Sequence, residues 1–182
     1  DPVEEAPTEA ASPVKVAAAS QPVAWLCEEI GQGWVEVNTI TPPGEDAPAY
    51  RPPGGVLAKA LSAELIVATG AGYEGWMHTA ALPEARLIRS TKGIELLTLP
   101  EVAPHSHGGA EGAHHRHGGI DPHTFTDPLL FLRQAETITE GLVKARPAFE
   151  AQYRENMAAL RVKLLTLDRH QEEAMVRLKG LS

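Results

Sequence analysis

Hydrophobic positions along the chain change their period several times, and each change marks an element. Residues 14–18 (VKVAA) form a short apolar run that predicts a first strand. Ser20 and Pro22 then stand as an N-cap and a first-turn proline, and Val23, Leu26, Cys27 and Ile30 recur at helical spacing until Gly31 and Gly33. Residues 34–40 (WVEVNTI) alternate and predict a second strand. The stretch TPPGEDAPAYRPPGG holds five prolines and three glycines, which can sustain neither a ladder nor a helix. Beyond it come a short helix at 56–61, a buried strand at 64–68 (ELIVA), a second short helix at 74–81 and a fourth strand at 86–90 (RLIRS). Strands separated by helices imply right-handed crossovers and a parallel sheet, with ligands expected where the loops gather at the carboxyl ends of the strands.

The last third is helical. Asp127-Pro128 pairs an N-cap with a proline at the first position, opening a helix with Leu129, Leu132, Ala135, Ile138 and Leu142 on one face. Pro147 opens another, in which Phe149, Tyr153, Met157, Leu160, Leu164, Leu167, Met175 and Leu178 recur every three or four residues apart from a wider gap around His170. Unbroken, it would run roughly 50 Å at 1.5 Å per residue, longer than a four-stranded lobe needs. Its distal part is expected to be exposed, frayed or covered by a second copy of the chain.

Composition narrows the classes. Hydrophobic residues make up 43% of the 182, enough for a core. Sixteen Lys and Arg against 24 Asp and Glu give a net charge of −8, which argues against a nucleic-acid partner. No apolar run approaches the roughly 18 residues of a membrane span. A single cysteine, Cys27, excludes an intrachain disulfide framework and a cysteine-based zinc finger. Residues 1–13 are acidic and rich in Pro and Ala, and read as a flexible leader of the kind that follows signal-peptide or lipid-anchor processing.

Histidine carries the chemistry. Five of the eight, His105, His107, His114, His115 and His117, lie in residues 105–119 (HSHGGAEGAHHRHGG) among five glycines. Neutral imidazole is the commonest ligand for zinc-like ions, and the segment has nothing large and apolar to bury. Metal capture by this loop is the favoured reading, ahead of a purification tag or a plain solvated loop. His123 follows in the proline-fixed turn DPHTFTDP, immediately before the N-cap Asp127. No Ser/His/Asp arrangement stands out, and no H-E-x-x-H motif supports a zinc hydrolase, so no enzymatic activity is expected.

The motif DPHTFTDP, the segments NTITPPGEDAPAY and ELIVATGAGYEGWM, and the His-rich insert before DPH together resemble the zinc/manganese substrate-binding proteins of bacterial ABC importers, from residue 14 to the end of the chain. That family is bilobal, with a helical backbone between its lobes. The resemblance implies an α/β fold: a small parallel sheet flanked by helices, followed by a long backbone helix. It divides the chain into the leader 1–13, an amino-terminal lobe 14–146 and a connecting helix 147–182, with the second lobe absent from this chain. His123 matches the family's second ligand position. Its first ligand histidine usually lies in a D-P-H-x-Y/F segment, where this chain has Glu45-Asp46-Ala47-Pro48-Ala49-Tyr50, putting Pro48 at the ligand position. Three explanations stand: compensation by Asp46, Glu74 or His78, completion by loop histidines, or a degenerate site. The implied function is periplasmic or otherwise extracytoplasmic capture of a divalent transition metal, zinc ahead of manganese, for an ABC permease. The alternative is a metal-buffering or partner-binding module that uses the loop alone. The long helix leaves self-association open.

Overall fold

The computed structural model describes residues 12–98 and 119–180. Four parallel strands, β1 (Val14–Ala18), β2 (Val35–Thr39), β3 (Leu65–Ala68) and β4 (Leu87–Arg89), form one sheet in the order β2-β1-β3-β4. Helices α1 (Gln21–Gly31), α2 (Gly54–Leu61), α3 (Pro128–Ala145) and α4 (Glu150–Lys179) complete the lobe. The fold is therefore the expected α/β lobe with a long terminal helix.

Strand periodicity explains its two layers. Successive side chains of a strand point to opposite faces, and the central strands β1 and β3 are covered on both. Val14, Val16 and Ala18 with Leu65 and Val67 face Leu26, Ile30, Ile138, Leu142, Tyr153 and Leu160 of α1, α3 and α4. Ala17 and Ala19 with Ile66 and Ala68 face Ala60 of α2, Ile40 and Trp76. Cys27 lies within the first of these layers, and burial pushes its thiol well above the usual range, so it stays an inert core residue. The exposed Trp25 stacks on Phe131 at 5.6 Å between ring centres, which joins α1 to α3 at the surface.

Two helices are shorter than the sequence pattern predicts. The helix expected over 74–81 is a single 3-10 turn, Gly75–His78, because the chain leaves a tight turn at 70–72 and runs into Pro83. The last helix opens with a 3-10 turn at Pro147–Phe149 and is α-helical from Glu150, about 45 Å long. Its side chains are buried only as far as Leu164. Leu165, Leu167, Met175, Val176 and Leu178 are exposed, as expected for a helix that outruns the lobe it packs on.

Candidate metal site at the strand ends

His123 stands in the segment that leads into α3, at the end of the sheet where the strands finish. Its ring Nδ1 is 2.8 Å from Asp121 Oδ1, and the same oxygen accepts the His123 backbone N–H at 2.9 Å. A carboxylate only accepts, so this pairing puts the imidazole proton on Nδ1 and leaves the lone pair on Nε2. That is how a histidine is prepared as a metal ligand. The His123 side chain is 45% exposed, so an ion can reach it.

The backbone at this point is fixed from below. The His123 carbonyl accepts from the Thr126 hydroxyl at 2.8 Å and from the Thr126 N–H at 3.1 Å. Asp127 then caps α3, its carboxylate accepting from the N–H groups of Leu129 and Leu130 at 2.8 and 3.0 Å. Gln134, fully buried on α3, donates to the Thr124 hydroxyl at 2.8 Å and accepts from the Ser90 hydroxyl at 2.9 Å. This one side chain ties the end of β4 to the turn carrying His123.

Among the described residues, two aromatic rings neighbour that of His123. Tyr73 meets it edge-on at 5.6 Å between centres and Phe125 at 5.9 Å, while Tyr73 and Phe125 lie 5.3 Å apart. Burial, with the charges of Glu74 and Asp46 behind it, pushes the Tyr73 hydroxyl up and keeps it a neutral phenol. Asp46 is thus close enough to act on a residue that touches His123.

The three residues considered in place of Pro48 fare differently. Glu74 is 1% exposed, and its carboxylate accepts from Ser20 Oγ, from the Thr69 N–H and from the Gly70 N–H at 2.9 to 3.1 Å. It is committed to the fold and not to an ion. His78 is exposed on the following turn, with Nε2 standing over Gly72. Asp46 is exposed, on the loop that seats against that turn. Pro48 itself is buried, and a β-carbon at Gly75 would fall 2.5 Å from its carbonyl oxygen, so glycine lets the two loops meet. Among the described residues, no group of three or more His, Cys, Asp and Glu side chains converges as a metal site.

His105, His107, His114, His115 and His117 lie outside the described residues. The two flanks of their segment, however, are joined. Thr98 and Ile120 form an antiparallel bridge, and the Asp121 N–H donates to the Leu97 carbonyl at 2.8 Å. The chain on the two sides of the His-rich segment is thus brought together at Thr98 and at Ile120, the latter three residues before His123.

Glu74 enters the sequence reading only as a possible replacement ligand and Gln134 does not enter it at all, and only the tertiary fold shows what they hold. Ser20 is at the predicted N-cap position, but its hydroxyl goes to Glu74 and caps nothing in α1. Burial pushes the Glu74 carboxyl above its ordinary 4.5, and its hydrogen bonds draw it only part of the way back. The folded chain thus holds that proton to higher pH than the unfolded chain does. The stability from this group is complete below 4.5 and is lost as pH rises through the raised folded value. Urea unfolding of the wild type and of Glu74→Gln across this range should show the difference, wild type minus variant, falling as pH rises. A flat or rising difference would contradict it.

A parallel-sheet lobe thus holds an oriented, accessible imidazole at its strand ends, beside the joined flanks of a His-rich segment. The chain belongs to the family of the periplasmic zinc-uptake complex component A, ZnuA, whose model matches residues 16–180. Members of this family are metal-binding solute-binding proteins, not enzymes. The chain is 26% identical over 169 residues to the zinc-binding lipoprotein AdcA of Streptococcus pneumoniae, covering 88% of this chain and 32% of that protein. It is 27% identical over 174 residues to the iron-binding protein YfeA of Yersinia pestis, covering 94% of this chain and 52% of that protein. A zinc-bound deletion mutant of ZnuA superposes with a TM-score of 0.72 at 28% identity, over 87% of this chain and 57% of that one. The chain thus spans between about a third and about half the length of these curated relatives.

Proposed function

We propose that this chain is the amino-terminal lobe and connecting helix of an extracytoplasmic receptor that captures a divalent transition metal, zinc first, and hands it to an ABC permease. The observation that carries the reading is the Asp121–His123 pair, which leaves Nε2 as the lone-pair nitrogen of the ring. Zinc is preferred over manganese because imidazole is a borderline-soft donor, and the neighbouring segment adds five more. The relatives, named for zinc, iron and manganese, support a transition metal as the cargo. Two of them are named lipoproteins and the family is named periplasmic, which supports a location outside the cytoplasm. No described helix is long and apolar enough to cross a membrane. The exposed distal face of α4 suits a second lobe packed on it, which would supply the remaining ligands; a second copy of the chain is the other occupant that would fit.

In the competing reading the His-rich segment alone buffers metal, favoured by the absence of a three-ligand cluster among the described residues. Calorimetric titration of Zn²⁺ and Mn²⁺ into the chain, and into the chain lacking residues 105–119, separates the two. A receptor lobe still takes one zinc ion per chain after the deletion, weakly for want of the second lobe's ligands, and loses only the multiple binding. Loss of all binding would decide for the buffer.

A further inference from the structure

The turn after β3 is built around a buried carboxylate that, among the described residues, no Lys or Arg accompanies in an ion pair. Glu74 Oε1 accepts from Ser20 Oγ and the Thr69 N–H, both at 2.9 Å, and Oε2 accepts from the Gly70 N–H at 3.1 Å. Ser20 follows the end of β1, and Thr69 and Gly70 follow the end of β3. Two central strands that lie far apart in sequence are therefore joined by one side chain at the end of the sheet where His123 sits.

Between its anchor points the chain is left-handed for three residues in a row: Gly70, Ala71 and Gly72 have φ of +81°, +54° and +80°. Ala71 carries a β-carbon that disfavours this region, so the conformation persists because its surroundings over-determine it. Tyr73 closes the turn, its N–H donating to the Gly70 carbonyl at 3.0 Å. The ring of Tyr73 is the one set edge-on to both His123 and Phe125. Burying a carboxylate without a cation is unfavourable unless hydrogen bonds replace its water. Here they do so at the one place that decides where Tyr73 stands.

We infer that Glu74 is a positioning residue for His123: its carboxylate locks the 69–74 turn, and the locked turn holds Tyr73 as a wall against the imidazole. Its consequence for metal binding rests on the function proposed above, whereas the positioning itself can be read without metal.

The test uses the metal-free chain and the variants Glu74→Gln and Ser20→Ala, with the aromatic and imidazole NMR signals as readout. Glutamine keeps the shape but offers an N–H₂ to one of the three donors, and Ser20→Ala removes one donor and leaves both backbone N–H groups in place. In Glu74→Gln the Tyr73–His123 cross-peaks should weaken and both ring signals should shift. The Tyr153 signals in the helical layer should stay in place. Ser20→Ala should move the same two rings the same way, by less. A folded Glu74→Gln with Tyr73 and His123 at wild-type positions overturns the inference. Should Glu74→Gln fail to fold, unmoved rings in Ser20→Ala overturn it equally. Zn²⁺ titration of the same proteins gives the second arm, with affinity expected to fall about tenfold in Glu74→Gln, the size of a lost supporting contact around a ligand. Shifted rings with unchanged zinc affinity would support the positioning and instead overturn the reading of His123 as a ligand.

Discussion

His123→Ala is expected to lower the affinity of this lobe for Zn²⁺ by about 100-fold or more while leaving the fold intact. Losing a partner that merely orients a ligand commonly costs 10- to 100-fold, so losing the ligand itself should reach at least the upper end of that range. The fold should survive because the side chain is 45% exposed, and the hydrogen bonds fixing this segment use the His123 backbone carbonyl and N–H, which alanine keeps. Asp127 would still cap α3, and Gln134 would still tie Thr124 to Ser90. Calorimetry with a competing chelator measures the change, and an unchanged circular dichroism spectrum establishes that it is local. His170→Ala, on the exposed face of α4, serves as the control that should change nothing. Equal zinc affinity in the wild type and His123→Ala would remove the strand-end site from consideration.

How much of this could be read from the sequence depends on the range of the interaction concerned. Short apolar runs, one alternating stretch and helical spacing placed all four strands and the four main helices, because each follows from how its own element is buried. Boundaries were lost where loops pull on the ends, as at 74–81, where the left-handed turn and Pro83 leave room only for Gly75–His78. His123 was legible through the motif DPHTFTDP that carries the family resemblance, whereas the orienting role of Asp121 two residues before it appeared only in the structure. The anchoring role of Glu74 was not legible, since its partner Ser20 lies 54 residues away and meets it only after β1 and β3 pair. Gln134 was hidden for the same reason, lying 44 residues from Ser90. Pro48 shows the opposite case. Its lack of a donor atom is plain in the sequence, but the close seating of its carbonyl against Gly75 is a tertiary fact. The apolar stripe of α4 was read to Leu178 with its distal part expected beyond the cover of one lobe, and the lobe covers it to Leu164.

Tyr153→Ala is expected to cost roughly 4 kcal/mol of stability, the range of large aromatic-to-alanine truncations in a packed core. Tyr153 heads the set of large side chains with no exposure and is the point where α4 seats on the sheet layer. Its ring lies edge-on to Phe149 at 6.2 Å, and Phe149 in turn meets Trp34 at 4.5 Å, so removing it opens a void that three elements would have to close. Contacts next to Tyr153 tie α4 to the neighbouring helices. Arg154 pairs with both Glu140 of α3 and Glu150, and Asn156 donates to the Ile30 carbonyl at 2.9 Å. For a domain whose whole stability is about 5–15 kcal/mol, this loss moves the urea midpoint far toward zero. Tyr153→Phe separates packing from polarity. The hydroxyl makes only a long 3.4 Å contact with the Trp34 carbonyl, so the phenylalanine variant should lose at most about 1 kcal/mol. An alanine variant that loses less than about 2 kcal/mol would mean that α4 relaxes onto the sheet without its aromatic anchor. The helix would then be held by its ion pairs and aliphatic contacts, and the part beyond Leu164 would be no more loosely attached than the part before it.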